Sequence, residues 1–75
     1  MAINFSKGII ERVIYEVSTF TASVDPDTIP EEYINRNYNN LLKFGDMALK
    51  ENYKTAEIQE VSKKFFKKFG SRFQY

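Results

Sequence analysis

The sequence predicts an all-α fold, a small three-helix bundle with a long central helix and a short aromatic C-terminal tail. Three observations carry this prediction. Apolar residues recur at helical spacing in three separate segments. Turn and capping signals, Asp25-Pro26 and Thr28-Ile29-Pro30-Glu31 above all, divide the first segment from the second. The chain of 75 residues makes one domain, 1–75, and has neither cysteine nor histidine. Packing must therefore hold it without disulfides or the usual zinc sites.

The first helix is expected over residues 6–20. Ile10, Val13, Ile14 and Val17 follow the i, i+3, i+4, i+7 spacing of one helical face, and Ile9 and Phe20 widen it. Arg12, Glu16 and Thr19 fall on the opposite side. A strand competes, because Val13, Tyr15, Val17, Thr19 and Thr21 alternate and favour β structure. The adjacent pair Ile9-Ile10 and the better helical register decide for the helix. Thr21 to Asp27 then reads as a linker, since the position before Pro26 disfavours helix.

The second helix is expected over residues 29–53. Thr28 serves as its N-cap in a capping box with Glu31, and Pro30 sits in the first turn, where its missing N–H costs little. Glu31 and Glu32 complement the positive helix end. The polar arc holds Asn35, Arg36, Asn39, Lys43, Asp46 and Lys50. The remaining surface carries Tyr33, Ile34, Tyr38, Leu41, Leu42, Phe44, Met47, Ala48 and Leu49. So wide an apolar sector fits a central helix touching two neighbours. Gly45 lies inside it, and either admits a close helix or marks a break. Leu41, Leu42, Ala48 and Leu49 keep one register across it, which favours a continuous helix, although four nearby asparagines lower the propensity.

The third helix is expected over residues 55–69, with Thr55 as N-cap, Glu57 in the first turn and Gly70 as the closing residue. Ile58, Val61, Phe65 and Phe69 form its inner stripe. Ser71 to Tyr75 make the tail.

Function has to be sought mainly in Lys63 to Tyr75, KKFFKKFGSRFQY. On a helix the inner phenylalanines separate from Lys63, Lys64, Lys67 and Lys68. Surfaces that stack bases need ring and cation facing one ligand, so a combined aromatic and basic nucleic-acid site is not expected. The lysine face with Arg72 remains as an alternative, a surface for sequence-independent phosphate contacts. Phe66 lies at the edge of the stripe, and Phe73 and Tyr75 lie beyond Gly70. These three are the candidate partner-binding residues, because clustered exposed aromatics mark interaction surfaces. A tail tucked onto its own core is the competing arrangement. Residues 25–53 carry six acids against three bases, and residues 54–75 six bases against two acids. The two regions therefore attract each other, within one chain or between two.

Catalysis is poorly provided for. There is no histidine, no cysteine nucleophile, no phosphate-binding glycine loop and no calcium-loop spacing. No enzyme activity, cofactor, metal or small-molecule substrate is expected. No stretch approaches the ~20 apolar residues of a membrane span, and Met1 to Lys7 lacks secretory features. The expectation is a cytoplasmic protein without a membrane partner. Its heavy use of Ile, Asn, Lys, Phe and Tyr fits an AT-rich bacterial or phage gene. The expected role is a non-enzymatic protein-interaction or regulatory module, acting on a larger complex or on its own copy.

Overall fold

The computed structural model describes residues 5–70. They form three helices, α1 (Phe5–Ser23), α2 (Glu31–Glu51) and α3 (Thr55–Phe69), with no strand among the described residues. Each helix packs on the other two, and the connections 24–30 and 52–54 are short enough to turn the chain back on itself. The course is up, down, up.

The core is the set of inner stripes. Ile10, Val13 and Val17 of α1 meet Ile34, Leu41 and Ala48 of α2, and Ile58, Val61, Phe65 and Phe69 of α3. Aromatic rings close one end: Phe69 lies 5.1 Å from Phe65 and 5.3 Å from Phe20, centroid to centroid. No polar or charged residue is buried among the described residues. Arg12, Glu16 and Thr19 face water, so the helical register of α1 holds and the strand alternative falls.

α1 runs three residues beyond Phe20, the Val24 N–H still donating to the Phe20 carbonyl at 3.1 Å, and its small polar residues bond back to the helix. The hydroxyls of Thr21 and Ser23 donate to the carbonyls of Val17 and Thr19 at 2.7 and 2.6 Å. The turn begins only at Val24, and Asp25 organises it. The Asp25 carboxylate accepts the Asp27 N–H at 2.9 Å, and its carbonyl accepts the N–H groups of Thr28 and Ile29.

The expected capping box does not form. α2 starts at Glu31 with Pro30 at the cap position in extended conformation (φ −62°, ψ 142°) and with no side-chain cap bond. A residue before proline is driven to extended backbone, so Ile29 cannot enter the helix and Thr28 is left too far upstream. Glu31 and Glu32 do occupy the first turn. α2 is continuous through Gly45, without the break that glycine makes conceivable.

Asn52 closes α2 in left-handed conformation (φ 52°, ψ 48°). The Tyr53 N–H donates to Ala48 and the Asn52 N–H to Leu49, the paired bonds of a Schellman ending. Lys54 is also left-handed (φ 52°) and takes the cap position of α3, which makes Thr55 the first helical residue instead of the cap. Gly70 closes α3 as expected but in right-handed conformation, its N–H on the Phe66 carbonyl.

Charge does not hold the bundle together. The ion pairs are Arg12–Glu16, Asp46–Lys50 and Lys54–Glu57, all within four residues in sequence. Among the described residues none joins the acidic middle to the basic end. Exposed pairs of this kind contribute about 0.2–1 kcal/mol each, so apolar burial decides the fold.

Candidate functional site

α2 carries two apolar seams. Ile34, Leu41 and Ala48 recur every seven residues and are buried. One position further on, Tyr38, Leu42, Gly45 and Leu49 repeat at intervals of four, three and four, the spacing of a coiled-coil seam. A step of about 100° per residue rotates this second seam out of the core.

The ring of Phe66 shows where it points. Phe66 meets Tyr38 edge-on at 5.5 Å and 83°, so the second seam flanks α3 on the side away from α1. α2 and α3 run antiparallel across a short connection. Stepping along both helices from Tyr38 and Phe66 sets Leu42 level with Ser62, Gly45 with Gln59 and Leu49 with Thr55. Each of these three levels thus sets one large side chain beside a small residue, Gln59 being the large partner at Gly45, and among the described residues the edge stays open. Leu42 is 56% exposed, Leu49 60% and Phe66 38%. None of the residues on these levels carries a charge.

Of the three expected partner-binding residues, Phe66 lies on this edge, while Phe73 and Tyr75 lie outside the described residues, as does Arg72. Leu42 and Leu49 were placed among the residues that meet neighbours, yet they face water. The readable signal is their seven-residue repeat, one position out of phase with Ile34, Leu41 and Ala48.

The lysines divide. Lys63, Lys64 and Lys67 are exposed and surround a shallow hollow of about 290 Å³ with Glu60. None of the three has a carboxylate partner among the described residues. Lys68 turns the other way. Its Nζ donates to the Thr21 carbonyl at 2.5 Å and lies 5.8 Å from the Phe69 ring centroid. A cation there satisfies a carbonyl in the last turn of α1, where the helix dipole favours positive charge.

A wider hollow of about 480 Å³ opens between α1 and α3, lined by Glu11, Ile14, Tyr15, Ser18, Lys54 and Glu57. Both its carboxylates are engaged: Glu11 accepts the Tyr53 hydroxyl, and Glu57 pairs with Lys54 at 3.3 Å. The bond to Glu11, aided by burial, raises the Tyr53 pKa, and the bond to Glu57 raises that of Lys54. Both groups are held protonated more firmly in the folded chain. Their stabilising contribution is complete below the unfolded values, near 10, and disappears as pH rises through the folded ones. Tyr53→Phe should therefore flatten the alkaline fall in melting temperature. Parallel melting curves for variant and wild type above this pH would discard the Tyr53–Glu11 tie. No group of residues suited to holding a metal ion occurs among the described residues, and no described helix is long and apolar enough to cross a membrane.

No family model, curated protein or solved structure matches the chain.

Proposed function

We propose that the protein is a non-enzymatic interaction module, a small regulatory or accessory factor of the cytoplasm, which takes the apolar face of a protein helix into its α2–α3 edge. One observation carries this reading: Leu42 and Leu49, more than half exposed, continue a coiled-coil seam that Phe66 covers only at the Tyr38 end. Single exposed leucines are ordinary on protein surfaces. A charge-free stripe at seam spacing is not, because it offers an apolar groove to the i, i+3, i+4, i+7 anchors of an amphipathic helix.

The test uses Leu42→Glu and Leu49→Glu. Both positions are solvent-exposed helix sites, so stability should stay within about 0.5 kcal/mol of wild type. Capture of protein by the immobilised domain, and its self-association, should both fall. If neither variant changes either readout, the edge has no such role. Phe66→Ala is a poorer probe, because that ring also packs on Tyr38 and Phe65.

The nucleic-acid alternative has less support. Lys68 is turned toward Thr21, which reduces the described basic face to Lys63, Lys64 and Lys67. Of these lysines only Lys63 borders the exposed edge.

A further inference from the structure

Resting on that reading of the α2–α3 edge, we infer that its occupant is the same edge of a second copy of this chain. The two copies are related by a two-fold axis parallel to the helices. Their α2 and α3 helices together form a four-helix bundle in which all adjacent helices are antiparallel.

Residue sizes along the edge are self-complementary. The levels along the edge pair Leu42 with Ser62, Gly45 with Gln59 and Leu49 with Thr55, one large side chain and one small in each. A two-fold axis along the groove keeps every level and exchanges the helices. Leu42 then falls against Ser62 of the second copy, Leu49 against Thr55, and Gln59 over the bare backbone of Gly45. From Leu42 to Leu49 large meets small, the condition for interdigitated packing between facing helices, and only the Tyr38–Phe66 level sets ring against ring. The space at Gly45 is open, since a Cβ added there meets nothing within 4 Å.

Charge favours the same pairing. The lining of the edge is neutral, so it does not repel itself. Its flanks are of opposite sign: Asp46 lies beyond the seam on α2, and Lys63 beyond Gln59 on α3. The same axis sets Asp46 of one copy about 7.5 Å along the groove from Lys63 of the other on each rim, five residues at 1.5 Å each, and because side chains lean toward the N-terminus of their helix the two lean together. Lys63 has no carboxylate partner within the described chain, whereas Asp46 is shared only with exposed Lys50. A two-fold axis across the groove, midway between Leu42 and Leu49, would instead place Asp46 on Asp46 and leucine on leucine. Like charges and like sizes reject it.

The edge is short. From Tyr38 to Leu49 it spans about 17 Å at 1.5 Å per residue, so the dimer is a dissociating one and its equilibrium can be measured.

Sedimentation equilibrium of the full chain, in a concentration series reaching the millimolar range, should show reversible exchange between 8.8 kDa and twice that mass. Leu42→Glu should weaken the dimer about 30-fold or more, as loss of a central apolar anchor does. Asp46→Lys and Lys63→Glu should each weaken it about two- to fivefold, the range of an exposed pair, and the two changes together should restore it. Circular dichroism and the melting temperature of each variant guard against unfolding, since Asp46→Lys also sets a like charge beside Lys50. A monomer at every concentration would overturn the inference, as would a dimer indifferent to Leu42→Glu. A double charge reversal no better than the single ones would overturn the axis. A monomer that still captures another protein through Leu42 would remove the second copy and leave the edge's role standing. A monomer for which Leu42→Glu changes nothing would remove both.

Discussion

Phe65→Ala should remove a large share of the stability of the fold. Phe65 is fully buried, and its ring touches Phe66 and Phe69 at 5.5 and 5.1 Å. Through Phe69 this cluster reaches Phe20 on α1, and through Phe66 it reaches Tyr38 on α2. Truncating such a side chain removes its transfer free energy and leaves a cavity, at a cost of about 3–5 kcal/mol. A domain of this length has a total stability of only about 4–11 kcal/mol, and with no cysteine it has no disulfide to supplement it. At about 4–8 °C per kcal/mol, the melting temperature should fall by at least about 12 °C. Urea and thermal unfolding followed by circular dichroism measure this directly. A melting temperature within a few degrees of wild type would mean that these rings do not close the core. The neighbouring Phe66→Ala, at a position 38% exposed, should cost far less, which separates the core stripe from the edge.

That separation also marks how far the sequence could be read. The buried stripes were legible because one physical requirement, removal of apolar surface from water, writes itself as a 3.6-residue period. Ile10, Val13 and Val17, or Ile58, Val61, Phe65 and Phe69, need no knowledge of a partner element to be recognised. Helix ends were less legible, because competing local bonds decide them. Thr21 and Ser23 look like turn residues but bond back into α1. Thr28 has the pattern of a cap, yet Pro30 keeps the preceding backbone extended and moves the helix start beyond it. The fate of Leu42 and Leu49 was illegible for another reason. A sequence shows that a helix has two seams, but filling the second takes a neighbour, and in this chain α3 covers it only at the Tyr38 end. The proposed site therefore emerged where the apolar pattern exceeds what three helices can cover.

Gly45→Ala puts that excess to a quantitative test. Gly45 lies inside α2, its φ is not positive, and a Cβ there meets no neighbour within 4 Å. Nothing among the described residues makes use of glycine at this position, and glycine in a helix interior costs about 1 kcal/mol relative to alanine. The variant should melt about 4–8 °C higher in dilute solution, where the chain is monomeric. In the dimer inferred above, Gln59 of the second copy lies over this backbone, so the added methyl group should weaken association. Stability and assembly then move in opposite directions. Gly8→Ala is the control, because its Cβ also meets nothing within 4 Å but the residue lies on α1, away from the edge. It should give a smaller gain in stability, being near the helix start, and leave association unchanged. If Gly45→Ala strengthened assembly as well as the fold, the glycine would have no part in the interface. A fall in melting temperature would mean that another element approaches Gly45 within the chain itself.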